Sequence, residues 1–275
     1  MTESGKSGSV PKLRDSSILR IEDLYIHYHV RRYKFFPQNE VIIAVKGISF
    51  SIKRGETFAI VGESGSGKTS LVMSILGFVK PKYGKILFEN QDIWSKDKKA
   101  LGGIRKKIQP IFQDSNNALN PRMTIGEAIR DGFKSVEKDK DKTLGEKVSH
   151  LLGLVGLGAE FYDRFPHELS GGQKQRVCLA RAMAPNPELI ILDEPLSSQD
   201  LSIQANLINL LLDLKHEKGL TYLLISHDLW VVRSLADRIA VLKQGKIVEV
   251  GETEKLFRNP EHSYTQTLLA HMPGT

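Results

Sequence analysis

"TFAIVGESGSGKTSLVMSILGFV", Thr57 to Val79, decides the fold. "TFAIVG" is a short apolar run ending at a glycine, the pattern of a buried strand. "KTSLVMSILGFV" reads as a helix. Between them "GESGSGKT", Gly62 to Thr69, fits G-x-x-x-x-G-K-[ST] in the strand–loop–helix context that the pattern needs. Gly65 and Gly67 let the backbone wrap closely, so that N–H groups along Gly62, Glu63, Ser64, Gly65, Ser66 and Gly67 can point at phosphate oxygens. The helix N-terminus, from Lys68 through Ser70, adds its dipole. Lys68 is expected to reach the β- and γ-phosphates of a nucleotide, and Thr69 to offer its hydroxyl to Mg²⁺.

A phosphate loop needs carboxylates, and "LIILDEP" supplies them. Asp193 and Glu194 end a second buried strand, where adjacent acids are costly without a cation or a task. The expected division is Asp193 on Mg²⁺, through water, and Glu194 as the general base on the attacking water. His227, in "LLISHDL", follows a third buried strand and is placed to contact the γ-phosphate or that water. Gln113, in "PIFQD", ends another strand and can bind Mg²⁺ or water.

Around these strands the chain alternates between periods. Strand patterns start at Ile18, with "ILRIEDLYIHYHV" and "EVIIAVKGISFSIKRG". Between about Asp114 and Pro185 the strand signals vanish and helical runs take over, as expected of an inserted helical subdomain. "VEKDKDK" inside it lacks the glycine and spacing of a calcium loop and reads as a solvated linker. After Pro187 strands and helices alternate again, ending with a hairpin over Gln244-Gly245. That alternation implies a mostly parallel sheet covered on both faces.

Composition limits the function classes. Lys and Arg exceed Asp and Glu by 39 − 32 = 7, which suits phosphate ligands or an anionic surface but is too diffuse for a nucleic-acid stripe. The single cysteine, Cys178, leaves no internal disulfide or thiolate metal site and reads as a buried structural thiol. No apolar run is long enough to span a bilayer. Residues 1–17 are polar, without a signal-peptide core, and read as a flexible leader.

"LSGGQKQRV", Leu169 to Val177, carries no acid, histidine or metal ligand. Ser170 as N-cap and Gln173 three residues on make a capping box, leaving an open helix N-terminus aimed outward at an anion. In order and spacing, "GESGSGKT", Gln113, "LSGGQKQRV", "LIILDEP", "SSQD" and "SHD" resemble the ATP-binding-cassette family over about residues 18–257. The resemblance implies an α/β fold: a P-loop (RecA-like), mostly parallel core sheet, an antiparallel β subdomain, and a helical subdomain inserted at about 114–185. It implies ATP hydrolysis with Mg²⁺, and two cassettes paired head to tail with ATP between them. Ser170, Gly171, Gly172 and Gln173 would then bind the γ-phosphate of the partner's ATP. Asp200 would lie in the loop linking the two sites, where Ser198 and Gln199 depart from the family's usual "SALD". Tyr28, in "IHYHV", matches the aromatic that stacks on adenine.

At the flanks, "HYHVRRYKFFPQNEVIIAVKGISF", "IFQDSNNALNPRMTIGEAI" and "NPEHSYTQTLLAHMP" resemble the second ATPase of oligopeptide, dipeptide and nickel importers, with Ser263 where proline is usual. Residues 258–275 form that subfamily's C-terminal extension. The implied partners are two permease subunits, a second related cassette chain and an extracytoplasmic binding protein, with no nucleic acid. The implied location is the cytoplasmic face of the membrane. Peptides are the expected cargo, with nickel or metal–chelate as the alternative. Two other readings stay open: a cassette of a soluble complex such as the carbon–phosphorus lyase machinery, and a nucleotide switch without turnover.

Overall fold

The computed structural model describes residues 17–34, 36–95, 98–113, 118–134, 143–196 and 200–270. The charged run at 136–142, Ser198, Gln199 and all of the leader but Ser17 lie outside them.

Two sheets organise the chain. The first is antiparallel, in the order β2-β1-β4-β5. It consists of β1 (Ser17–Lys34), β2 (Phe36–Lys53), β4 (Tyr83–Phe88) and β5 (Gln91–Asp92). After a buried Ile18, the buried residues of β1 run Leu19, Ile21, Leu24 and Ile26, so alternation along that stretch breaks once. The break is a register shift between Ile21 and Leu24, where Asp23 takes a left-handed φ of 42°. A bulge there restores the apolar face to the core.

The second sheet has six strands in the order β10-β9-β3-β8-β7-β6. These are β3 (Thr57–Val61), β6 (Ile108–Ile111), β7 (Leu189–Asp193), β8 (Thr221–Ile225), β9 (Arg238–Lys243) and β10 (Lys246–Glu252). All neighbours are parallel except the β9–β10 hairpin. That hairpin turns at Gln244 and Gly245, both with positive φ (48° and 83°). Two successive left-handed residues match the twist of the flanking strands.

Because side chains alternate along a strand, the parallel sheet divides the core in two. Phe58, Ile60, Ile191, Leu223 and Ile225 face the antiparallel sheet, α1 (Lys68–Ile75) and α2 (Lys98–Lys107). Ala59, Val61, Ile190, Leu192 and Leu224 face the opposite way. There they meet α3 (Ile125–Phe133), α4 (Leu144–Leu154), α5 (Gly171–Met183), α6 (Leu201–Lys218) and α7 (Leu229–Leu235). Two C-terminal helices, α8 (Thr253–Arg258) and α9 (Ser263–Ala270), join the same side. This is the parallel sheet covered on both faces that the alternating pattern implies. Between β6 and β7 every described element is helical. Cys178 is buried within α5, and burial pushes its thiol above the ordinary cysteine range, as suits an inert packing residue.

At the N-terminal end of the sheet, Arg54 bonds both Glu89 and Glu188, and Lys107 reaches the same two carboxylates at 2.6 and 2.7 Å. This ionic cluster ties the two sheets together at the end opposite the site. No described helix is long and apolar enough to cross a membrane.

Candidate functional site

The C-terminal ends of four adjacent parallel strands, β3, β8, β7 and β6, open onto one cleft of about 880 Å³. That edge is where α/β sheets present ligands, and the volume lies in the range of small-molecule sites.

The phosphate loop leaves β3 at Gly62 and enters α1 at Lys68. It is held from two sides. The Gly245 N–H at the tip of the β9–β10 hairpin donates to the Ser66 carbonyl (2.9 Å), and the Lys46 N–H donates to the Gly245 carbonyl (2.8 Å). The approach is so close that glycine is required. A Cβ on Gly62 (φ +154°) would stand 2.2 Å from the Leu242 carbonyl oxygen. One on Gly67 (φ +111°) would stand 2.4 Å from that of Ala44. Gly67 caps α1 without a side-chain acceptor. The first N–H groups of α1, on Lys68, Thr69 and Ser70, therefore lack intrahelical partners and belong to cleft-lining residues.

Lys68 is buried and donates through Nζ to the carbonyls of Gly62 (2.6 Å) and Glu63 (2.9 Å). Burial lowers its pKa from the ordinary lysine range, against the pull of Glu194, Asp193 and Glu63. The ammonium thus waits at the mouth of the loop, held by two neutral acceptors that a phosphate can replace.

The acids follow from β7. The strand ends at Asp193, and Glu194 turns sharply with φ 49°, its N–H donating 2.8 Å to the Ile225 carbonyl on β8. A left-handed glutamate is a strained conformation of the kind found at functional sites. His227 Nδ1 lies 3.0 Å from Glu194 Oε1. The turn carrying His227 is fixed by its neighbours: the Asp228 N–H donates to Ser226 Oγ (3.0 Å), and Asp228 Oδ1 caps α7 at Trp230 (2.9 Å). Gln113 lies two residues beyond the end of β6 and lines the same cleft. Burial and the adjacent Glu194 push the Asp193 carboxyl above the ordinary aspartate range, although Lys68 opposes this.

The residues expected to hold Mg²⁺ fit it. Thr69, Gln113 and Asp193 all line the cleft and offer oxygen donors, the chemistry of a hard cation. Among the described residues no three His, Cys, Asp or Glu side chains converge on a metal site. A Mg²⁺ ion here would therefore need ligands from the phosphates themselves, its usual habit.

Other expected residues lie elsewhere. Ser170 caps α5, accepting from the Gln173 N–H (3.3 Å), while Gln173 Oε1 accepts from the Ser170 N–H (3.0 Å). The capping box read from sequence is present. With Gly171 and Gly172 it does not line this chain's cleft, and among the described residues nothing beyond the helix's own adjoining backbone lies within 4 Å of a Cβ built on Gly171. Asp200 is exposed and stands at the N-cap position of α6 with no side-chain capping bond, also away from the cleft. Tyr28 does not line the cleft either; it stands opposite Ile42 in the β1–β2 register and packs on the core beneath.

Sequence reading missed the apolar wall, Ile42, Ile43 and Ala44 of β2, and it missed Lys46 and Gln244. One signal was available for the wall. Val41, Ile42 and Ile43 break the alternation, and all three remain more than 40% exposed. On an edge strand an exposed apolar triplet marks a contact surface.

With this geometry in hand, comparisons point one way. Residues 45–197 match the family model for ABC transporters. The chain is 45% identical over 260 residues to the oligopeptide transport ATP-binding protein AppF of Bacillus subtilis, covering 94% of this chain and 79% of that one. It is 46% identical over 263 residues to OppF of Streptococcus pyogenes, covering 93% and 82%, and 45% identical to AmiF of Streptococcus pneumoniae, covering the same shares. Among solved structures, the dimeric post-hydrolysis cassette MJ0796 bound to ADP and Pi superposes with a TM-score of 0.74 at 30% identity, covering 86% of this chain and 98% of that one. CbiO1 of Clostridium perfringens, part of the ABC transporter complex cbiONQ, superposes at 0.76 and 29% identity, covering 94% and 97%.

Proposed function

The chain belongs to the ABC transporter family, and from that premise we propose that it is the ATP-hydrolysing subunit of an oligopeptide importer. One observation carries the chemistry: the phosphate loop, Lys68, Asp193, Glu194, Gln113 and His227 converge at a single strand-end cleft. The cargo rests on the names of the relatives, which are oligopeptide transport ATP-binding proteins.

In this reading ATP lies along the cleft, its phosphates on the N–H groups from Ser64 to Ser70 and on Lys68. Its base lies toward the apolar wall at Ile42 and Ile43. Thr69, Gln113 and Asp193 would hold Mg²⁺, which when bound would neutralise phosphate charge. Glu194 takes the proton of the attacking water. His227, already against the Glu194 carboxylate, orients that base. Two cassettes pair head to tail, and Ser170, Gly171, Gly172 and Gln173 of one complete the site of the other, with Asp200 between the sites. The stretch "NNALNPRMT" after Gln113 meets the permease, residues 18–257 form the ATPase unit with the subdomain of about 114–185 inserted in it, and 258–275 are an extension. The cassette pair is a heterodimer with a related chain, seated peripherally on the cytoplasmic side of two permease subunits that are served by a binding protein.

Gly171→Asp tests the pairing. The open space at Gly171 accommodates a side chain, and an acid at a helix N-terminus is locally favourable by about 0.3–1 kcal/mol. The variant therefore folds and binds ATP at its own loop. In the pair it sets a carboxylate against the partner's γ-phosphate, and hydrolysis falls on the order of 10²-fold. Wild-type turnover in the assembled transporter would sink the head-to-tail assignment.

Affinity isolation from the native cell tests the function as a whole. The expected result is two polytopic membrane proteins and a second cassette chain, with a binding protein that takes up peptides. A soluble enzyme complex without membrane subunits would overturn import in favour of a non-transport role.

A further inference from the structure

The phosphate loop has a third support, and it comes from the far end of the chain. The Glu63 N–H donates to the Tyr264 hydroxyl at 3.2 Å, a contact across 201 residues. Tyr264 lies on α9 and is 6% exposed. Lys243 Nζ sits 4.4 Å from its ring centroid.

α9 itself is docked. Glu249 on β10 accepts from the N–H groups of Glu261 (2.9 Å) and His262 (3.1 Å). His262 Nδ1 accepts from the Tyr264 N–H at 3.1 Å. In "H-S-Y-T", His262 thus orients the start of the helix, Thr265 is buried beneath it, and Tyr264 reaches the loop.

What Tyr264 grips matters more than the grip itself. The Glu63 N–H and the Gly62 carbonyl belong to one planar peptide unit. That carbonyl is the 2.6 Å acceptor of Lys68 Nζ. A rotation of the Gly62–Glu63 peptide would swing both groups together. We propose that Tyr264 is a positioning residue for nucleotide binding: its hydroxyl fixes the Gly62–Glu63 peptide and so sets where the Lys68 ammonium waits for the phosphates. The C-terminal segment then belongs to the nucleotide site rather than being a passive extension. This deepens the ATP reading and rests on it.

Tyr264→Phe removes only the hydroxyl and keeps the buried ring. The full chain is titrated with MgATP and a fluorescent ATP analogue, and KM and kcat are measured in the assembled transporter. The dissociation constant and KM are expected to rise together by roughly 3- to 10-fold, the scale of one hydrogen bond, with kcat within about twofold. The melting temperature without nucleotide is expected to stay within about 2 °C of wild type. An unchanged dissociation constant overturns the proposal. So does a loss of affinity matched by a fall in nucleotide-free melting temperature, which would make Tyr264 a packing residue only. Should the wild-type chain bind no ATP, the ATP reading itself falls, and that result is visible before the variant is made.

Discussion

Glu194→Gln is expected to bind MgATP at least as tightly as the wild type and to hydrolyse it roughly 10²- to 10⁴-fold more slowly, the usual contribution of a general base. The substitution isolates basicity. Glutamine is nearly isosteric, and the Glu194 N–H bond to the Ile225 carbonyl does not involve the side chain. The amide oxygen can still sit against His227 Nδ1, 3.0 Å away in the parent. One negative charge leaves the neighbourhood of the phosphates, so binding gains rather than loses. Equilibrium nucleotide binding and steady-state phosphate release, measured on the same assembled preparation, separate the two effects. Turnover at the parent rate would show that another group activates the water.

Lys68→Ala acts on the other side of the reaction, on binding itself. In the folded chain Lys68 faces Asp193, Glu194 and Glu63, so its removal leaves a cleft of uncompensated acids to receive a polyanion. Truncating one partner of a buried charge pair typically costs about 2–5 kcal/mol, or roughly 30-fold to several thousand-fold in affinity. The expected result is nucleotide binding weakened by that factor and no measurable hydrolysis. Lys68→Arg is not expected to rescue it. The ammonium is a compact charge gripped by two backbone carbonyls, and a planar guanidinium does not fit that geometry. Isothermal titration of the three proteins decides the point; near-parental affinity in Lys68→Ala would remove Lys68 from the site.

The parts of the site that were legible in advance are those whose physics is local. "GESGSGKT" announces itself because loop, lysine and helix start are contiguous, and the "LSGGQ" capping box closes within four residues. "LIILDEP" and "LLISHDL" are readable as strand ends because a buried run followed by a polar cluster is a property of one segment. The unread parts are contacts between segments. Nothing near Tyr264 in sequence points to Glu63, 201 residues away. Nothing near Ala44 shows that its carbonyl oxygen will press on Gly67. The hairpin over Gln244-Gly245 was read as a turn, yet its second role, a hydrogen bond to Ser66, comes from the loop it meets.

By itself, then, the sequence determined which chemistry this protein carries and on which kind of local element each group sits. Strand, turn and helix periodicity, together with glycine and capping requirements, are satisfied within a few residues. Only the tertiary structure decided that these groups meet. The four site strands follow one another along the chain as β3, β6, β7 and β8, but they lie side by side as β3, β8, β7 and β6. That order sets Lys68, His227, Glu194 and Gln113 along one edge. It is chosen by burial of alternating apolar faces against two separate helical and sheet layers, a sum over the whole core that no single segment contains.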